Sequence, residues 1–460
     1  MCSQKCLVLG LLLVASVLFG ASANFSGTFR TRANYFDKTN LGQADTNSTK
    51  TFIDGRALLY PSLLVDDHFS IKTQWSLLTS PNFAPSQEVG GLGNSGQGGW
   101  VYGDPNTAKM ALDRAWMEWT SDFGVFRLGR VPVAWGYGLI WDAGNGTWDD
   151  WQSTVDRLEY RLHFGHVVST LAYSKPRKVS LMGSENDSEY YTVALKYENP
   201  ELDIEFGGLY EKQSRSLSQQ SALLWEGNPY LLPEGNRVRP YPLHSELAYP
   251  LSNSVLDFYM KKTAGYFTFG GELSWLSGNA SDYRGSGVQE LNAWGLLFSS
   301  AYEIHKLKAF VEFLYASGDS DMSSGPMNGF ALLHRNRGAG LLLGRQLLGR
   351  YYGDNINLGS MVVYGNDRSF SGVYYLRPGV RLDWSRTWSS GIELIYADKA
   401  ATQEGEEKHL GFEIDLGTDY SVYRNFDVGV TLALLFPGAG LGATETPTTF
   451  GFQTTFGLKF

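Results

Sequence analysis

Cysteine is almost absent: the 460-residue sequence has two, Cys2 and Cys6. Apolar runs long enough to cross a bilayer as a helix, about 20 residues, are missing altogether. The run Leu7 to Phe19 is too short, but Lys5 before it and Ala21-Ser22-Ala23 after it complete the pattern of a secretory signal. Residues 1–23 are therefore read as a signal peptide and the mature chain is expected to begin near Asn24. Both cysteines leave with the signal, and neither sits at the cleavage point, so lipidation there is not indicated. Disulfides, thiol catalysis and cysteine metal sites are excluded. Basic charge is also short. Without Lys5, 37 basic residues face 47 acidic ones, a net charge of −10, which argues against nucleic acid as a partner.

Long helical patterns of Leu and Ala are missing as well, in a chain that is 14% aromatic with 53 glycines and 26 tyrosines. Two-residue alternation runs the length of the chain instead. It is clearest in the last eleven residues, FGFQTTFGLKF, where Phe450, Phe452, Phe456, Leu458 and Phe460 share one face and Gly451, Gln453, Thr455, Gly457 and Lys459 the other. This ending resembles the closing strand of bacterial outer-membrane barrels, and the resemblance implies that Phe460 is read by the barrel-assembly machinery. The first strand repeats the pattern, with Phe25, Phe29, Ala33 and Tyr35 outward and Arg30, Arg32 and Asn34 inward.

Counting each alternating run as a strand gives about eighteen. Turns such as Asp66-Asp67 and Asn199-Pro200 are short, whereas residues 80–106, 213–252 and 317–372 make long loops. The expected fold is all-β: a closed antiparallel transmembrane β-barrel of about eighteen strands spanning residues 24–460, with short periplasmic turns and long extracellular loops, in contact with lipids of the bacterial outer membrane. Pro61, Pro132 and Pro378 each delete a ladder donor and are expected at bulges or rims. Segment 356–364 is assigned to the long loop.

Projected inward, the first six strands carry Arg30, Arg32, Arg56, Lys72, Arg114, Arg127, Arg157 and Arg161 against Asp54, Glu118 and Glu159. Later strands carry Asp203, Glu205, Glu272, Glu312, Glu393, Glu413 and Asp415, so one wall reads as basic and the opposite wall as acidic. In the 317–372 loop, Arg335, Arg337, Arg345 and Arg350 punctuate an apolar, Gly-rich stretch expected to fold into the bore and narrow it. The planar fork of Arg suits carboxylates and phosphates, and rings of charge set pore selectivity. The expected activity is passage of an anionic solute. The bland alternative is that facing Arg and carboxylate rows merely neutralise each other.

The most specific internal stretch is Phe126 to Tyr160. Its Leu128-Gly129-Arg130 step, Trp135-Gly136 turn, Trp151 and Val155-Asp156-Arg157-Leu158 return resemble the alginate-export family of outer-membrane barrels. The resemblance implies an eighteen-stranded barrel passing an anionic uronic-acid polysaccharide through an Arg-rich lumen. Pro132 and Trp141-Asp142 depart from that family's pattern.

Two other classes compete. A barrel enzyme needs a histidine with a carboxylate or nucleophile near the outer rim, but the seven histidines are scattered and His68, His166 and His305 fall at periplasmic turns. No phosphate loop, metal motif or cofactor signature occurs, so no catalysis and no cofactor are expected. A surface glycan binder or structural barrel with an occluded lumen would use loop aromatics such as Trp100, Tyr102, Trp135, Tyr137, Trp141, Trp148, Trp151, Trp225 and Tyr230 as sugar platforms.

Overall fold

The computed structural model describes residues 21–38, 49–79, 94–96, 100–101, 109–149, 151–177, 188–215, 251–281, 288–320, 326, 328–330, 340–348, 372–402, 404–441 and 447–460. Alternation becomes strand throughout. The barrel strands are β1 (Ser22–Asp37), β2 (Lys50–Leu64), β3 (Phe69–Thr79), β4 (Lys109–Ser121), β5 (Gly124–Pro132) and β6 (Trp151–Phe164). They continue with β7 (Val167–Arg177), β8 (Ser188–Asn199), β9 (Ile204–Arg215), β10 (Leu251–Ala264), β11 (Phe267–Ser281) and β12 (Val288–Ile304). The last six are β13 (Leu307–Ala316), β14 (Val373–Asp383), β15 (Trp388–Lys399), β16 (His409–Tyr423), β17 (Phe426–Pro437) and β18 (Thr449–Lys459). Each pairs antiparallel with its neighbours, and β18 pairs with β1 from Phe450↔Asp37 to Lys459↔Thr28, which closes the cylinder. Closure gives every strand a partner on both sides, as hydrocarbon demands. Two short segments, Asn94–Gly96 and Trp100–Val101, pair with β6 and β2.

The tight turns are built from local side-chain caps. Asp66 Oδ1 accepts the His68 and Phe69 amides at 2.8 and 2.7 Å, tightening the β2–β3 hairpin. Asn199 Oδ1 accepts the Glu201 and Leu202 amides, and Asp203 closes that turn in the left-handed region at φ 48°. Asp203 thus belongs to a periplasmic turn and not, as the alternation suggested, to the acidic wall. Pro132 ends β5, but Pro61 and Pro378 lie within strands whose register runs unbroken across them. The expectation of a bulge or rim fails there. A missing donor leaves a local gap in a ladder that the flanking pairs hold in register.

Outward positions carry the apolar residues. Leu128, Leu158, Leu195, Leu273, Leu416 and Leu432 form a belt, with Trp119, Phe123, Phe164, Tyr266, Trp384, Trp388 and Phe460 at the turn end and Tyr35, Tyr191, Trp294 and Tyr396 nearer the other. An apolar band between aromatic girdles is the surface of a barrel in the outer membrane. Phe460 clasps the seam: its amide donates to Gly27 O at 3.1 Å and its carbonyl accepts from Gly27 N at 2.8 Å.

Inward positions are not uniformly polar. Arg30, Arg32, Arg56, Gln74 and Arg114 line β1–β4, whereas Leu276, Leu291, Leu297, Leu314, Val373, Ile395 and Leu435 line β11–β17. All of these are buried, because chain between the strands folds back into the lumen and covers them.

Candidate functional site

The chain leaving β5 turns inward. Residues 133–149 reach β10 and β11 and return toward β1 and β2 before entering β6, held both by hydrogen bonds within the loop and by inner-wall side chains. On the way out, Trp135 Nε1 donates to Asp257 Oδ1 at 2.8 Å, and its ring meets Tyr259 edge-on at 5.0 Å. The Glu272 carboxylate then accepts two successive turn amides, from Tyr137 N on Oε2 and from Leu139 N on Oε1 at 3.0 Å. Gly136, at φ +53°, makes this turn. A Cβ there would lie 2.7 Å from Glu272 Oε2, so glycine serves both the backbone conformation and the close approach. Leu139, Ile140 and Trp141 fill the space behind, and Trp141 packs against Tyr190 of β8 at 6.3 Å.

On the way back, the loop presents carbonyls to the arginines of β1, β2 and β4. Arg30 Nη1 donates to Thr147 O and Asp149 O, both at 3.1 Å. Arg56 donates to Gly146 O at 3.1 Å, to Thr147 O at 2.8 Å and to Asp149 O. Arg114 donates to Ala143 O, Asn145 Oδ1, Gln74 Oε1 and Thr154 Oγ1. Trp148 closes the loop against β18, where a Cβ on Gly457 would lie 2.7 Å from its ring. Every acceptor of Arg56 and Arg114 among the described residues is therefore neutral. Hydrogen bonds from a charged donor contribute about 1.5–3 kcal/mol each, yet they leave the full charge in place.

Arg32, Arg127, Arg157 and Arg161, by contrast, are ion-paired. Arg32 Nε meets Asp54 at 2.9 Å. Nearer the periplasmic end, one carboxylate, Glu159, sits among Arg127 at 3.1 Å, Arg157 at 3.0 Å and Arg161 at 2.7 Å. Glu118 bridges Lys72 at 2.9 Å and Arg127 at 3.5 Å. Across the bore, Glu312 and Glu393 flank Arg377, each at 3.8 Å, and Lys196 meets Glu198 and Glu205.

A second insertion comes from the long loop. A π-helical segment, Gly340–Leu348, aims its first amides at β16: Leu341 N donates to Asp415 Oδ2 at 3.0 Å, Leu342 N to Glu413 Oε1 at 2.8 Å and Leu343 N to Glu413 Oε2 at 2.6 Å. Leu341, Leu342 and Leu343 are buried, and Phe330 lies over Gly295 of β12. Arg335, Arg337 and Arg350, the segment 356–364, the signal at 1–20 and the loop residues Tyr102, Trp225 and Tyr230 lie outside the described residues, as do the side chains of Arg345, Trp100 and Trp151.

Two corrections follow. Trp135, Tyr137, Trp141 and Trp148 do not stand on an outer surface as sugar platforms; they pack inside the lumen, where burial of large rings holds the loop in place. His409, one of the scattered histidines, does meet a carboxylate near the outer end, with Nδ1 2.9 Å from Asp398 Oδ1. Asp398 is also bonded by the Tyr374 and Tyr396 hydroxyls, and among the described residues no hydroxyl nucleophile joins His409 and no metal-binding cluster exists. Asp257, Tyr60, Asn145 and Arg377 were missed from sequence. The alternation Val255, Asp257, Tyr259 held the signal for the first of these.

No protein-family model and no curated protein matches this chain. Solved structures do match in fold. OpdQ of Pseudomonas aeruginosa shares 8% identity over 96% of this chain and 98% of its own, with a TM-score of 0.52. OccK9 (OpdG) of the same organism shares 10% over 95% and 99%, with a TM-score of 0.52. A BenF-like porin from Pseudomonas fluorescens shares 10% over 95% and 98%, with a TM-score of 0.50. The fold is porin-like. In this porin-like barrel residues 133–149 lie between Arg56 of β2 and Glu272 of β11.

Proposed function

We propose that this porin-like barrel is a narrow outer-membrane channel for small anionic solutes, with carboxylated sugars or short acidic oligosaccharides as the substrate class. One observation carries the reading: Arg56 and Arg114 sit at the constriction with neutral acceptors only, so their charge is not cancelled by ion pairing. Positive charge in a confined, low-dielectric bore attracts anions and sets selectivity. Arg30, Arg32, Arg127, Arg157 and Arg161 extend the path above and below, and Arg337, Arg345 and Arg350 are proposed, from sequence alone, to belong to the same path. An uncoiled polysaccharide is a poorer fit, because residues 133–149 would have to leave the bore to let it pass. The porin-like fold, with no nucleophile at His409 among the described residues, favours transport over catalysis.

Planar-bilayer reversal potentials test the reading. Anion preference is expected, falling toward zero in the Arg56→Gln, Arg114→Gln double variant. Cation preference in the unaltered protein would overturn it. Replacing Arg337, Arg345 and Arg350 together by Ala is expected to lower the rate of anion entry. A second reading, a glycan-binding or structural barrel with an occluded lumen, draws on the buried apolar cluster that both inserted segments build inside the bore. Silence in the bilayer combined with glycan binding would favour it. Recognition of Phe460 by the barrel-assembly machinery belongs to the same proposal, and its deletion should lower surface levels.

A further inference from the structure

Close to the periplasmic turns, the inner faces of β3–β6 carry a chain of alternating charge. Lys72 Nζ meets Glu118 Oε1 at 2.9 Å, Arg127 links Glu118 Oε2 at 3.5 Å to Glu159 Oε1 at 3.1 Å, and Arg161 Nε ends the chain on Glu159 Oε1 at 2.7 Å. What this chain presents to the lumen is one-sided. The side chains of Lys72 and Arg161, its two ends, are 38% and 39% exposed, whereas Glu118 and Glu159 are 21% and 2% exposed. Arg161 is tied down through Nε alone, so its two Nη atoms, which meet no described residue, stand out from the wall as a fork in a fixed place. Lys72 Nζ has one acceptor among the described residues, Glu118, and an ammonium carries further donors. Elsewhere on the inner wall the order is reversed: Lys196 is less exposed than its partner Glu198, and Arg377 less than Glu393.

Were neutralisation the whole purpose of the chain, acid and base would meet the lumen alike. Here the two acids are set back and position the cations in front of them. A guanidinium fork matches the two oxygens of one oxyanion, and pairs as exposed as these do little for stability. We infer that Arg161 and Lys72 form an exit platform at the periplasmic end of the lumen, where the acidic groups of a departing solute, carboxylate or phosphate, are held before release. Strands β3 and β6 lie three spacings apart, roughly 14 Å, so the two cations serve separate acidic groups and do not chelate one. The platform rests on the reading of the bore as an anion path and deepens it. With Arg56 and Arg114 as one region of attraction and this platform as a second, anions have two sites in series, the arrangement that lets attraction coexist with release.

The test uses the full-length protein in planar bilayers, with galacturonate and inorganic phosphate as probes added to one side at a time. Galacturonate should block the current from the side of the short turns, and its blocking affinity from that side should fall about tenfold in the Lys72→Gln, Arg161→Gln double variant. Glu159 keeps Arg127 and Arg157 in that variant, so the wall retains its inner ion pairs. The reversal potential should remain anion-selective, because Arg56 and Arg114 are untouched. Competition by phosphate identifies a platform for oxyanions at large, whereas indifference to phosphate restricts it to carboxylates; either supports the site. Block of equal affinity in the double variant, with anion preference intact, overturns the exit platform alone. Cation preference in the unaltered protein would instead remove the channel reading on which the platform rests.

Discussion

The two walls of this barrel hold inserted chain by different physics. On β1, β2 and β4 the loop 133–149 is attached through its carbonyls, each met by an arginine. On β16–β18 the segment Gly340–Leu348 is attached by leucine burial, with Glu413 and Asp415 taking its first amides. The polar attachment satisfies the carbonyls of Ala143, Gly146, Thr147 and Asp149 while leaving the charge of Arg56 and Arg114 without an ion-pair partner among the described residues. The apolar attachment offers a passing solute nothing. One wall can therefore be read as selective and adjustable, and the other as packing that reduces the bore.

Breaking the apolar side should have the largest effect. Leu342→Ala removes a fully buried side chain and should cost about 2–5 kcal/mol. Its signature is a step up in single-channel conductance, and unchanged conductance would mean that the helix does not obstruct the bore. Leu432→Arg, on the lipid side of β17, should cost about 2–4 kcal/mol if the position lies at mid-bilayer. The same change at Thr431 should be far milder in vesicle unfolding titrations, and equal costs would show that the faces are assigned wrongly.

The polar wall should yield next. Arg114→Met strands Ala143 O, Asn145 Oδ1 and Gln74 Oε1, at about 1–3 kcal/mol for a buried group left unpaired. Flickering current and reduced anion preference are expected, and a quiet, equally selective channel would assign the loop's hold to Trp135 and Glu272 alone. The smallest effect belongs to Lys72→Gln, because the half-exposed Lys72–Glu118 pair contributes under about 1 kcal/mol. Raising salt from 0.1 to 1 M shortens the screening length from about 10 to about 3 Å. That should erode selectivity and leave the Leu342 contacts unaffected.

Much of the wall was legible because parity is local. Arg30, Arg56 and Arg114 point inward since their chain neighbours are Phe29, Ala57 and Ala115, and lipid takes the other face. Parity failed where the chain stopped being strand. Asp203 continued an alternating run on paper, but Asn199 caps a turn there and Asp203 itself, in the left-handed region, completes it. Trp135 and Trp141 were misplaced for a related reason: aromatic, Gly-rich loops look alike whether they face solvent or a lumen.

The amino-acid order alone determined two faces on each strand, a strand count near eighteen and a lipid-facing exterior, because each follows from side chains one and two residues apart. Only the closed barrel decided that residues 133–149 lie inside and that Arg56 and Arg114 bind carbonyls and not carboxylates. Those contacts join Arg30 to Thr147 across 117 residues and Tyr137 to Glu272 across 135. Such partners meet only after closure sets opposite strands one bore apart, and no short-range pattern carries that distance.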